Sequence, residues 1–243
     1  MCTVTVLPFG DRLFITSNRD EHIQRTPAEL PEPVSFSSGR ILFPRDGQAG
    51  GTWVASHENG NVMVLMNGGI KKHKHLPPYR RSRGLIFLDI FNSLLPVNEF
   101  EKISLDGIEP FTLVIYQQGS LWKAIWDGSK KYLEPVDKTK PQIWSSVTLY
   151  DKEVRLKREQ WFHKWLEKTM FINAEAIREF HEFAGEGDAK TSLRMNRDGV
   201  LMTVSITGME LSSGNLKMFY KDLQAGLISI NEWMLPAGER IVL

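Results

Sequence analysis

The sequence has little cysteine, little net charge and no long apolar run, and each shortage closes off a class of protein. One cysteine in 243 residues excludes an intrachain disulfide framework and any zinc site built on several thiolates, and it suits a reducing compartment. A net charge of +1, from 30 Lys and Arg against 29 Asp and Glu, gives no global pull toward nucleic acid or an anionic membrane surface. No apolar stretch reaches the roughly 18 residues that would suggest a membrane-spanning helix. Met1 to Arg12 lacks a basic start and is broken by Pro8 and Asp11, so no signal peptide is expected. A cytoplasmic location is the expectation. No repeat, linker or low-complexity segment divides the chain, and at 42% hydrophobic residues it is expected to form a single domain over 1–243.

What is present begins with the placement of that one cysteine. It is Cys2, directly behind Met1, where a randomly placed residue would fall once in 243 trials. A small second residue permits removal of Met1, which would leave a thiol and a free α-amine on the same residue. An α-amine titrates near about 7.7–8.0, so it can serve as the base for its own side chain, as in N-terminal nucleophile enzymes. The alternative is a small, half-buried residue of a first strand that happens to be Cys.

Residues 3–7 and 12–16 are β-branched and apolar runs separated by Gly10-Asp11, a pair suited to a two-residue II′ turn. With Phe9 and Arg12 flanking the turn, paired positions sum to 21 and Cys2 faces Arg19. A guanidinium there favours thiolate and pulls the thiol below its usual value of about 8.5. Asp20 and Glu21 compete for the role of orienting the α-amine; the plainer reading is a polar strand end in solvent. A second hairpin, 52–56 with 61–67 around Asn59-Gly60, is expected to pair positions summing to 119, with Asn67 opposite Thr52. Asn67 ends an apolar strand before Gly68-Gly69, so its amide could serve as an oxyanion donor or simply as turn chemistry.

Lys71, Lys72, Lys74, Arg80, Arg81 and Arg83 form the one concentrated positive stretch, with His73 and His75 among them and no acid between. It runs into an expected helix over 83–95, where cations oppose the helix dipole unless an anion binds; Arg83 is the preferred ligand contact. The histidines have no acidic or third His partner nearby in sequence, so no metal site is expected. Further strands are expected at 111–117, 121–126, 142–147, 190–196, 200–207 and 216–221, and helices at 151–169 and 173–184, the latter capped by Asn173. His163 and His181 are read as surface or half-buried structural residues.

Met1-Cys2-Thr3, Asn18-Arg19-Asp20-Glu21 with Arg25 and Pro27, Gly50-Gly51-Thr52-Trp53, Asn67 and Ser82-Arg83-Gly84 together resemble the NRDE family, also called the transport and Golgi organisation family. The likeness continues through 145–151, Arg197-Asp198-Gly199 and 203–207. It implies an α+β fold: a four-layer αββα N-terminal nucleophile (Ntn) hydrolase-like sandwich of two antiparallel sheets, similar to choloylglycine hydrolases. It implies catalytic roles for Cys2, Arg19, Asp20, Asn67 and Arg197, and ligand contacts at Arg83, Trp53 and Ser146. Where choloylglycine hydrolases place a second Asn late in the chain, this sequence has Ser145-Ser146, and Gly68-Gly69-Ile70 departs from the usual family pattern. The resulting expectation is a cysteine hydrolase of a C–N amide or thioester bond in a small amphipathic substrate, needing no cofactor. The alternative is a carrier that binds an amphipathic anion, haem or an acyl-CoA, on the same fold.

Overall fold

The alternation of the first hairpin decides how the molecule is layered. The computed structural model describes residues 3–235, and its first strands are β1 (Thr3–Phe9) and β2 (Arg12–His22), joined by a two-residue turn with Gly10 at a φ of 61°. Thr3 lies opposite Asn18 and Phe9 opposite Arg12, the expected register. Val4, Val6, Leu13 and Ile15 turn one way, into the main core between two sheets, whereas Leu7 and Phe14 turn the other way, onto helices.

The chain continues through β3 (Glu29–Phe36), β4 (Gly39–Arg45), β5 (Val54–His57), β6 (Val62–Asn67), α1 (Arg83–Phe91), α2 (Pro96–Lys102), β7 (Phe111–Gln117), β8 (Ser120–Trp126) and β9 (Lys131–Val136). It ends with β10 (Gln142–Ser145), α3 (Lys152–Lys168), α4 (Ala174–Phe183), β11 (Asn196–Arg197), β12 (Leu201–Ser212), β13 (Asn215–Asp222) and β14 (Ile228–Met234). One antiparallel sheet runs β10-β1-β2-β12-β13-β14 with β11 beside β12, and the other runs β3 to β9 in chain order. Trp161, Phe162, Ile177 and Phe180 of α3 and α4 pack on Leu7, Phe14 and Ile143 outside the first sheet. Ile86, Phe87, Phe91 and Phe100 of α1 and α2 join the core of the second. This is the α+β arrangement expected, two antiparallel sheets between helices. No helix among the described residues is long and apolar enough to cross a membrane.

Several local expectations are corrected. The β5–β6 pairs sum to 118, as in Val54 opposite Val64, because Glu58-Asn59-Gly60 forms a three-residue loop with Gly60 at a φ of 88° and the Asn61 carbonyl bonded to the His57 amide. Asn67 therefore aligns one position away from Thr52. The helix expected over 83–95 stops at Phe91, where Asn92 turns its side chain to Ser37 and Ser38, and Pro96 opens α2 at the first turn. The strand expected over 190–196 is a loop: Asp188 takes up Lys190, Thr191 and Ser192, and only Asn196–Arg197 pairs. Strands β3, β4, β9 and β14 carry weak patterns. Pro31 and Pro33 disguise β3, which tolerates them at a sheet edge.

Candidate active site

The strand alternation that sorts Val4 from Leu7 also sorts the Asn18-Arg19-Asp20 run. Arg19 shares the face of Leu13 and Ile15, toward the second sheet, and there it lines a cavity of about 480 Å³ with Glu21, Arg25, Asp46, Trp53, Asn67, Arg83 and Glu109. The cavity is of the size that takes small molecules. Asn18 and Asp20 point to the opposite face, under α3 and α4.

Arg19 is held by a carboxylate just past β4. Asp46 Oδ2 accepts from Arg19 Nη2 at 2.5 Å and from Arg25 Nε at 2.9 Å. Its Oδ1 accepts from Arg25 Nη2 at 3.0 Å and from the amides of Ala49 and Gln48. Burial pushes the Asp46 carboxyl up, but these donors and the two guanidinium charges outweigh it and hold the group below its ordinary range. Burial lowers the Arg19 guanidinium from its ordinary value, against the pull of Asp46 and Glu21. The guanidinium lies 4.1 Å from the Trp53 ring centre, a cation–π contact that fixes its plane. With Asp46 served, Arg19 has spent one of its five N–H donors on a hydrogen bond with the described residues.

Asn67 approaches the same space from the end of β6. Its backbone is pinned: the carbonyl accepts from Ser146 Oγ at 2.7 Å and Thr148 Oγ1 at 3.4 Å, and the next amide, of Gly68, donates to Pro110 O at 3.0 Å. Among the described residues no hydrogen bond reaches its side-chain amide. Ser146 is buried and does not line the cavity; it acts on Asn67 through the main chain.

The far wall comes from the basic segment, and there the structure adds an acid that sequence spacing did not reveal. Glu109, just before β7, meets Arg83 Nη2 at 3.1 Å, His73 Nε2 at 3.0 Å and His75 Nδ1 at 3.3 Å. The histidines thus do have an acidic partner, brought from over thirty positions away, although among the described residues no cluster suited to a metal ion is found. Burial raises the Glu109 carboxyl, and Arg83 with the two histidines more than reverses it, so it stays ionised. Arg81 pairs with Asp89 and Arg80 donates to the Ser104 and Asp106 carbonyls, so much of the positive stretch is spent on the fold. Arg83 is aimed by a close backbone crossing. A Cβ on Gly51 would come within 2.4 Å of Gly84, and one on Gly84 within 2.9 Å of Thr52 O, so both positions must be glycine for α1 to start beside the cavity.

Asp20 and Arg197 lie on the other side of the sheet. Asp20 accepts from Tyr150 Oη at 2.6 Å and Thr203 Oγ1 at 2.5 Å, and Arg197 donates to Leu149 O at 2.8 Å beside the Tyr150 ring. Arg158 of α3, wholly buried, donates to Thr3 Oγ1, Thr191 O and Ser192 O and sits 3.6 Å from the centre of the same ring. Sequence reading missed Asp46, Glu109 and Arg158; Arg158 is one of many charges on a charge-rich helix, and nothing in the spacing of any of the three marks it. His181, expected at or near the surface, is completely buried: Asn18 Nδ2 donates to two carbonyls, which leaves its Oδ1 to accept from His181 Nδ1–H and the Nε2 to accept from Thr5. Cys2, and with it the expected pairing with Arg19, lies outside the described residues.

Paired antiparallel sheets between helices are the arrangement of the Ntn-hydrolase fold. Solved structures agree on the fold. The Caenorhabditis elegans N-acylethanolamine-hydrolyzing acid amidase ortholog is 10% identical, with a TM-score of 0.57 over 86% of this chain and 92% of that one. Two forms of the conjugated bile acid hydrolase of Clostridium perfringens, a cysteine-to-alanine mutant and an arginine-to-leucine variant, are 12% and 11% identical with TM-scores of 0.52 and 0.56; each covers 95% of this chain and 92% of the other. A search of curated protein sequences gives no match. The chain belongs to the family described as transport and Golgi organisation 2, whose model matches residues 1–205.

Proposed function

We propose that the protein is an N-terminal cysteine hydrolase acting on a C–N amide or thioester bond of a small substrate. The observation that carries this is the meeting of two unfilled donor groups, the Arg19 guanidinium and the Asn67 amide, in one cavity beside the strand that begins at Thr3. The sequence reading that pairs Cys2 with Arg19 assumes the β1–β2 register that is observed from Thr3 opposite Asn18 onward.

Removal of Met1 frees the α-amine, which takes the thiol proton as the sulfur attacks the substrate carbonyl. Arg19 favours the thiolate, and Asn67 donates to the oxygen that becomes negative in the tetrahedral intermediate. The C–N or C–S bond then breaks, the α-ammonium returns the proton to the leaving amine or thiolate, and a thioester remains on Cys2. Water, deprotonated by the same amine, hydrolyses it to the free acid and thiol. Asp20, on the far face of β2, steadies the strand and the sheet behind the amine rather than entering the cavity; Arg197 supports Tyr150, its neighbour.

A carrier of haem or acyl-CoA would use the same cavity without the bond cleavage. The Glu109 pairing disfavours it, because Arg83, the cation best placed for a carrier's anionic cargo, already has a carboxylate. The test combines intact mass with alkylation and turnover. Met1 should be absent and Cys2 should react with iodoacetamide faster than a free-cysteine peptide at pH 7. Cys2→Ser should abolish hydrolysis of any substrate found, and Asn67→Ala should lower kcat by about 100-fold with little change in KM, as loss of one oxyanion donor does. Retained Met1, a sluggish thiol, or turnover by Cys2→Ser would each overturn the reading.

A further inference from the structure

The hydrogen-bonding capacity left over in the cavity leans toward donors. Asp46 takes five hydrogen bonds across its two oxygens, Glu109 is occupied by Arg83, His73 and His75, and Glu21 gives one oxygen to the His22 amide while the other lies 3.7 Å from Arg19 and 3.5 Å from Arg25. The donors are less occupied. Arg19, only 4% exposed, makes a single hydrogen bond, and the indole Nε1–H of Trp53, 3% exposed, makes none. Buried donors are ordinarily satisfied, and such a set beside a cavity marks where an acceptor belongs. Apolar side chains are few in the lining by contrast. The Trp53 face is covered by the Arg19 guanidinium and Leu65 is 4% exposed, so a long alkyl chain would have to strip water from charged walls along part of its length.

We infer that the acyl part of the substrate is short and polar and ends in a carboxylate, which takes the open N–H groups of Arg19 and Trp53 while Asn67 serves the scissile carbonyl. The cavity therefore selects a succinyl- or glutaryl-type amide or thioester and disfavours a fatty acyl one. This rests on the hydrolase reading for the identity of the bond cleaved, but its binding half can be measured without turnover.

The experiment is calorimetric titration of the Cys2→Ser protein with the N-succinyl and N-octanoyl derivatives of one amine, followed by turnover of both by wild type. The succinyl compound should bind at least tenfold more tightly. Arg19→Lys, which keeps the charge but loses the planar donors, should remove most of that preference, and Trp53→Phe, which removes only the N–H and keeps the ring, should weaken succinyl binding several-fold. Should Arg19→Lys fail to fold, Trp53→Phe decides the point. Equal or tighter octanoyl binding, or no binding of either, overturns the inference. Tight succinyl binding with no turnover by wild type leaves the ligand class standing and overturns the hydrolase reading instead.

Discussion

The two faces of β2 both carry polar residues, in opposite condition. Toward α3 and α4, Asn18, Asp20, Thr5, Tyr150, Thr203 and His181 bond to one another or to nearby carbonyls. Toward the second sheet, Arg19 stands with four N–H groups unspent, the Trp53 N–H is open, and among the described residues the hydroxyls of Ser17 and Thr207 find no partner. Ser17 and Thr207 are cross-strand neighbours, one step along the ladder from Arg19, so the unfilled groups form one patch. Both faces are buried, so exposure does not explain the difference. A saturated network rigidifies a layer, whereas an unsaturated one costs stability and is kept where something else is to be bound. Adjacent residues of one tetrapeptide thus divide between frame and site.

The largest expected effect tests that division by stability. Asn18→Ala removes two donors from buried carbonyls and the acceptor of His181, and should cost about 3–5 kcal/mol in chemical denaturation. Arg19→Leu should cost about 1–2 kcal/mol, because Asp46 keeps Arg25 and two amides and the desolvation of a buried cation is relieved. Similar losses for the two variants would abolish the contrast and make Arg19 as structural as its neighbour.

The second effect is a pH dependence led by the saturated face. Burial first, and the charge of Arg158 second, push His181 down to about 3, so it is neutral in the folded protein. In the unfolded chain it titrates near about 6.5. Between those values the unfolded state holds the proton and the fold does not, so stability is full above about pH 6.5 and falls by roughly 1 kcal/mol per unit as pH drops toward 3. Asp46 and Glu109, held below their ordinary values, act only lower, their contribution being lost as pH falls below about 4. The discriminating window is pH 6.5 to 5, where carboxylates are still ionised. His181→Gln should remove most of the fall in denaturation midpoints across it, the remainder coming from His57, which burial also lowers, and an unchanged slope would mean that another group supplies it.

How much of this was legible beforehand follows from the range of the forces involved. The β1–β2 register, β7, β12's start, both long helices and the shared cavity of Arg19, Trp53, Asn67 and Arg83 follow from alternation, turn dipeptides, caps and family motifs, all local or motif-borne signals. The β5–β6 slip turned on whether Glu58 belongs to the strand or the loop, which one hydrogen bond decides. Glu109 neutralising the basic segment, and Asp46 bracing Arg19, are pairings across distant chain positions. No periodicity encodes them, and they emerge only once two sheets are stacked. The strands at 29–36 and 228–234 hid for a related reason: sheet edges relax the demand for a clean alternating pattern.

The smallest expected effect joins the two regions. Ser146 touches the site only through the Asn67 carbonyl, to which Thr148 also donates, so Ser146→Ala should cost about 1 kcal/mol or less in stability. Because Thr112 still anchors the adjoining Gly68 carbonyl at 2.9 Å, the Asn67 amide should shift by a fraction of an ångström rather than leave the cavity. Cys2 alkylation should then be unchanged, since thiolate formation depends on Arg19, while kcat on a succinyl amide should fall a few-fold through the displaced oxyanion donor. A fall in substrate affinity with kcat intact would show instead that Ser146 reaches the ligand itself, and the boundary between frame and site would have to be drawn on the other side of it.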